Sequence, residues 1–234
     1  MLSRERRLLD FWLYALALAL LGYYLMAYLL LPNMWRLIEH RHPALQGLAT
    51  HAITIDGIPG DPINIAFICT EDSLQRALLA SGWVPADPIT LASSLRIATD
   101  SMVHRAYSTA PVSNLYYWGH RQDLGFEQMI GNDPRRRHHV RFWKSSDLDA
   151  QGRPLWVGAV TLDTRAGISH RTGQITHHID AAIDQERDRL LAQLNLSFPA
   201  SLEWFNGFQP ALRGRNGGGD AYYTDGRLAI VSLP

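Results

Sequence analysis

Uncharged and mostly apolar residues run unbroken from Phe11 to Leu31, about 21 positions, the length an α-helix needs to cross a bilayer. A cleaved signal has a shorter apolar core followed by a small-residue cleavage site, whereas this run closes on Leu-Leu-Leu-Pro. Trp12, Tyr14, Tyr23, Tyr24, Tyr28 and Trp35 suit the aromatic belts of a membrane interface. The pattern predicts a retained single-pass anchor over 11–31, between a basic flank at 1–10 and a juxtamembrane segment at 32–52. Arg4, Arg6 and Arg7 precede the span while Arg36 and Arg41 follow it, so the positive-inside rule leans toward a cytoplasmic N-terminus and an outward-facing domain.

Past the anchor the periodicity changes. Ile63 to Cys69 is apolar on both faces, as a central buried strand requires. Thr70 caps a predicted helix over 71–81, with Leu74, Ala77 and Leu78 inward and Gly82 at its end. Asp87-Pro88 opens a second predicted helix with Leu91, Leu95, Ala98 and Met102 on one stripe, and His104 and Arg105 complement the dipole at its end. After Pro111 short strands alternate with turns. Runs at 114–118 and 123–127 are followed by Arg135 to Trp143, Leu155 to Asp163 and Gln174 to Asp180, the last three read as an antiparallel meander. Asp180 caps a helix that buries Ile183, Leu190, Leu191 and Leu194. An aromatic and glycine-rich extension over 197–234 ends in a hairpin turning at Asp225-Gly226. The resulting class is α+β: an antiparallel or mixed sheet with flanking helices in a globular domain over 53–196, preceded by one N-terminal transmembrane helix.

A chain of 234 residues, 47% of them hydrophobic, supports one sizeable core. Its formal net charge of +0 supplies no field for nucleic acid, and no nucleic-acid partner is expected. Cys69, the lone cysteine, lies in an apolar run and reads as a buried thiol. Lys144 is the lone lysine. The basic character is therefore arginine, whose planar fork suits phosphate and carboxylate.

Alternation along the meander sorts its faces. His138, Val140 and Phe142 point with Trp156, Gly158, Val160 and Leu162, and with Ile175, His177 and Ile179, toward a core. The opposite face carries Arg137, His139 and Arg141, then Ala159, Thr161 and Asp163, then Gln174, Thr176 and His178. That polar face is either an ordinary wet sheet surface or an anion-binding one. For the second case Arg121, Arg137 and Arg141 are the anion-binding candidates. His139 and His178 are the candidate acid, base or nucleophile, with Asp123 or Asp163 to orient them. A third reading makes the charges structural, as buried pairs such as Arg141 with Asp163. Five histidines lie between His138 and His178, but simple hairpin register separates His138 from His177 by roughly 10 Å, too far for one ion. No cofactor is expected, and the divalent-metal arrangement left open is His170, His178 and Asp180. The glycines from Gly214 to Gly219 lack the Lys-Ser/Thr ending of a phosphate loop and read as an ordinary loop.

A series of motifs resembles the LssY C-terminal domain family over about 58–194. They are Gly60-Asp61-Pro62, Gly82-Trp83, Ala86-Asp87-Pro88, Ser94-Leu95-Arg96, Arg121-Gln122-Asp123-Leu124, the Arg-His-His-Val-Arg-Phe-Trp run ending at Trp143, and Gly173 to Asp180. In that family the domain often follows DedA-like and PAP2-like phosphatase membrane domains, whereas this chain has one anchor and no PAP2 motif upstream. The resemblance implies residence at a bacterial inner membrane near isoprenoid lipid phosphates. Together with the basic face it suggests a membrane-anchored domain, extracytoplasmic, that binds or hydrolyses a phosphorylated envelope substrate. The alternative is a non-enzymatic module that docks on an envelope or secretion protein.

Overall fold

The computed structural model describes residues 2–31, 50–86, 114–131, 136–149, 151–169, 173, 175–197 and 200–234. Helix α1, Leu2–Tyr24, continues as a π-helix over Leu25–Leu30. Within it Asp10–Leu30 is long and apolar enough to cross a membrane, and only 6% of its most apolar window is buried. The helix expected from Asp87, with Leu91, Leu95, Ala98, Met102, His104 and Arg105, lies outside the described residues, as do Trp35, Arg36, Arg41 and the start of the Arg135 run.

The domain opens with β1 (His51–Ile53), β2 (Pro59–Pro62) and β3 (Ile65–Ile68). Helix α2 follows at Glu71–Ala80, and the Thr70 hydroxyl accepts from the Ser73 amide at 3.2 Å as the sequence predicts. Gly82 takes a left-handed φ of 81° and releases the chain into β4 (Val84–Pro85). Next come β5 (Tyr116–Tyr117), β6 (His120–Arg121), β7 (Leu124–Met129), β8 (Arg137–Leu148), β9 (Pro154–Ile168) and β10 (Ile175–Ile179). Helix α3, Ile183–Ser197, buries Ile183, Leu190 and Leu194, and Asp180 Oδ1 accepts from the Ala182 amide just ahead of it. The chain ends with β11 (Ser201–Phe205), β12 (Arg213–Arg215), β13 (Ala221–Tyr223) and β14 (Leu228–Ser232).

Eight strands form the main sheet in the order β11-β14-β3-β9-β8-β7-β4, with β10 added along the far end of β9. Every pairing in it is antiparallel except β14 with β3. The meander β8-β9-β10 is therefore present, inside a mixed sheet. The final residues pair differently from a simple hairpin: β13 joins β12, while β14, apolar on both faces, inserts between β11 and β3. The Asp225-Gly226 turn is there, with Gly226 at φ 81°, but it delivers the chain to a central strand position.

Both faces of the main sheet are covered. On one, Phe67, Phe126, Val140, Phe142, Trp156 and Val160 pack with Leu74 and Leu78 of α2 and Leu190 and Leu194 of α3. On the other, a four-stranded sheet, β2-β1-β5-β6, covers Ala66, Trp143, Val157 and Ala159. The face that alternation marked as polar is thus the second buried face, because β1, β2 and β5 lie over it. Asn64 ties the layers: its amide donates to the carbonyls of Val160 and Ile183 and its Oδ1 accepts from the Val160 amide at 2.9 Å. Replacing it leaves the buried Val160 amide and carbonyl without these bonds. Asn64→Ala is expected to cost about 3 kcal/mol, read as a lower urea midpoint at unchanged slope. A change below about 0.5 kcal/mol contradicts this role.

Candidate functional site

The β8–β9 register sets Arg137 opposite Asp163, His139 opposite Thr161 and Arg141 opposite Ala159, all facing the smaller sheet. From that sheet β2 brings Asp61 down onto them. Gly60 makes the approach feasible, because a Cβ there would meet the Leu115 side chain at 2.8 Å. Gly217 does the same from the glycine-rich loop, where a Cβ would strike Pro59 and Ile58. Asp61 Oδ2 accepts a hydrogen bond from Arg141 Nη1. Arg137, fully buried, donates from Nη1 to Glu127 Oε2 at 2.7 Å and from Nε to Asp163 Oδ2 at 3.3 Å.

A register shift between His178 and Ile179 changes what the third strand contributes. His177 pairs with Ala166 and Ile179 with Asp163, so β9 spends one extra residue across that interval. The bulge turns His177 to the Asp163 face, whereas plain alternation assigns it to the core. His178 turns the other way, with Nδ1 2.6 Å from Asp220 Oδ1. Asp163 therefore stands between two imidazoles, 3.0 Å from His139 Nδ1 and 3.2 Å from His177 Nδ1. Neither contact is aligned as a hydrogen bond, and both ring nitrogens and Asp163 Oδ1 are buried without one.

Protonation follows from the partners. His139 Nε2 lies 2.5 Å from Arg141 Nη1 and 2.8 Å from Thr161 Oγ1. Nε2 is also 3.4 Å from Asp61 Oδ2, but the nearer Arg141 guanidinium can only donate, so Nε2 accepts from it and the ring proton is assigned to Nδ1, toward Asp163. Burial pushes the Asp163 carboxyl upward, but electrostatic attraction to the His139 and His177 rings outweighs it and holds it well below the ordinary carboxylate range. For Asp61 burial also pushes up, and Arg141 with His139 brings the net result down. Nearby His51, between Thr50 Oγ1 and the Tyr222 hydroxyl, is lowered to about 4 by burial, against a smaller upward pull from Asp61.

These groups floor a cavity of about 490 Å³ whose lining includes Asp61, His139, Arg141, Asp163, Thr176 and His177, with Asn216, Gly217 and Gly218 at one side. Of the sequence candidates, His139, Arg141 and Asp163 meet here, and Arg137 lies behind them. Exposed Arg121 is not in the lining. Asp123 is on another surface, accepting from the Lys144 amide at 2.7 Å and lying near His120. His178 and Asp180 are held by Asp220 and by the Ala182 amide, and His170 lies outside the described residues. Among the described residues no three His, Cys, Asp or Glu side chains are arranged to hold a metal ion. His177, Asp61 and Glu127 are the members that sequence reasoning did not select. The Gly60-Asp61-Pro62 motif was the available signal for Asp61.

The chain matches the family described as LssY C-terminus over residues 45–228 of 234, and it belongs to that family. No curated protein and no solved structure matches it.

Two outcomes follow from the electrostatics. Arg137→Met removes the guanidinium shared by Glu127 and Asp163 and is expected to cost about 3–5 kcal/mol, part of which Glu127→Gln in the same chain restores; strictly additive losses in chemical unfolding contradict the pairing. His51 has a folded pKa depressed to about 4, so the stability from burying it neutral is whole above its unfolded pKa, about 6.5, and is lost as pH falls toward the folded value. Between pH 7 and 5 this is worth about 2 kcal/mol. His51→Gln is expected to flatten that part of the stability profile. An equal acid loss in the variant contradicts the assignment.

Proposed function

We propose that this domain binds and hydrolyses a phosphorylated envelope substrate, with His177 as the group that moves the proton. The observation that carries the reading is a buried, ionised Asp163 set 3.2 Å from Nδ1 of a cavity-lining histidine, with Arg141 in the same lining. The His177 side chain is 22% exposed, against 2% for Asp163. With Nδ1 turned to the carboxylate, Nε2 is the ring atom left for the substrate. In the proposed step water attacks phosphorus as its proton passes to His177 Nε2. The P–O ester bond breaks, and the same proton leaves with the alcohol. Asp163 stabilises the transient imidazolium, and His139, held by Arg141 and Thr161, positions Asp163 from its other side. An entering phosphoryl oxygen competes with Asp61 for the donors of Arg141, which number five.

The scheme invokes no cofactor. It carries with it a single-pass anchor in a bacterial cytoplasmic membrane with the domain outside, supported by the span at Asp10–Leu30 and the arginines that precede it. The competing reading is a non-catalytic module docking on an envelope protein. It is favoured by the fact that Arg141 and Arg137 have carboxylate partners without any ligand.

The test is phosphorus NMR of the full chain in uncharged detergent with a panel of phosphomonoesters and pyrophosphates. Inorganic phosphate is expected to appear, and His177→Ala to slow its release by about 10²- to 10⁴-fold with folding intact. Release that vanishes with a chelator replaces this scheme by a metal-assisted one. No release from any probe, or an unaffected His177→Ala, overturns the reading in favour of the docking module.

A further inference from the structure

The wall of the cavity opposite its charged floor is built by the apolar N-terminal helix. Tyr24 and Tyr28 line it, stacked on each other with ring centroids 5.4 Å apart. The helix is docked there: the Tyr23 hydroxyl donates to the Gly173 carbonyl at 2.8 Å, and Ala27 is 1% exposed. Gly173 sits in the loop between β9 and β10, close against Ala27 and Leu31. Apolar side chains contribute elsewhere in the lining, beside the polar Thr54, Asp56, Asn114 and Ser169. Ile55, Ile58, Pro59 and Ile179 line the cavity, and Ile55 is 74% exposed.

Position along the helix fixes depth. At 1.5 Å per residue Tyr28 and Tyr24 lie about 3 Å and about 9 Å before Leu30, where the apolar span ends. With that span across a bilayer, Tyr28 falls at the edge of the hydrocarbon and Tyr24 about 9 Å inside it, among the acyl chains. The tyrosine wall of the cavity then meets the acyl chains, and the same cavity is lined by Arg141, His177 and Asp163.

We infer that the site takes its ligand out of the membrane, as the phosphate headgroup of an anionic lipid whose chain lies along Tyr24, Tyr28 and Ile55. This rests on the phosphate reading of the same site and names the substrate class for it. Phosphate chemistry alone is shared by lipids and by free phosphomonoesters. The apolar wall distinguishes them, because a water-soluble ester gains nothing from it, while each buried chain segment or ring contact adds apolar burial.

The experiment compares dioctanoyl phosphatidate with glycerol 3-phosphate, which carries the same phosphomonoester without the chains. Binding of each to the full chain in nanodiscs of uncharged lipid is measured by titration. Phosphatidate is expected to bind at least about tenfold more tightly. Tyr24→Ala combined with Tyr28→Ala is expected to weaken phosphatidate about tenfold while leaving glycerol phosphate within about twofold. Equal affinities, a tyrosine effect common to both ligands, or binding of neither overturns the inference. Phosphate release recorded on the same samples separates the two proposals. Phosphatidate binding without release removes hydrolysis and keeps the lipid site, whereas release from both esters with equal affinity keeps hydrolysis and removes the lipid site.

Discussion

A carboxylate buried in a protein interior has to be compensated, and the charge of Asp163 organises everything around it. Left uncompensated, an ion moved from water into such surroundings costs several kcal/mol. Here Arg137 reaches it from behind, His139 from its own sheet face and His177 from the neighbouring strand. Arg137 is itself held by Glu127, and His139 leads through Arg141 to Asp61. One buried charge thereby links β7, β8, β9, β10 and β2. The smaller sheet has a polar reason to lie on that face as well as an apolar one. The result is a connected network rather than a set of separate ion pairs, with its one partly exposed ring, His177, at the cavity.

Much of this was legible from alternation. The strands from Arg137 and to Asp163 are regular where they pair, so a period of two sorted His139, Arg141 and Asp163 onto one face correctly. The Thr70 cap and the buried stripe of the last helix were legible for the same reason, since both are local. His177 was not, because the extra residue in β9 beside Asp163 reverses the parity of everything paired beyond it. No composition signal marks that bulge.

What the sequence could not place was the long-range partner. Asp61 and Asp163 are far apart along the chain, and only the approach of β2, permitted by Gly60 and Gly217, joins their surroundings. The buried state of the polar face has the same origin. Arginine and histidine on alternate positions describe a wet sheet and a covered one equally well until a second layer is known. The last strand illustrates the converse: Leu228 to Ser232 is apolar on both faces, which is the mark of the central position it occupies and outweighs the local pull of the Asp-Gly turn toward a hairpin.

The docked helix end gives the network a setting. Its tyrosines close the cavity that Asp163 organises, so the helix that is long and apolar enough to cross a membrane is also part of the site. The claim on which all of this depends is that an ionised Asp163 fixes the proton of both imidazoles on Nδ1. Nitrogen-15 NMR of histidine-labelled protein at neutral pH reads that proton directly. The account predicts Nδ1-protonated rings for His139 and His177, and loss of that preference in Asp163→Asn. Rings protonated on Nε2 alone, or tautomers indifferent to the substitution, contradict it.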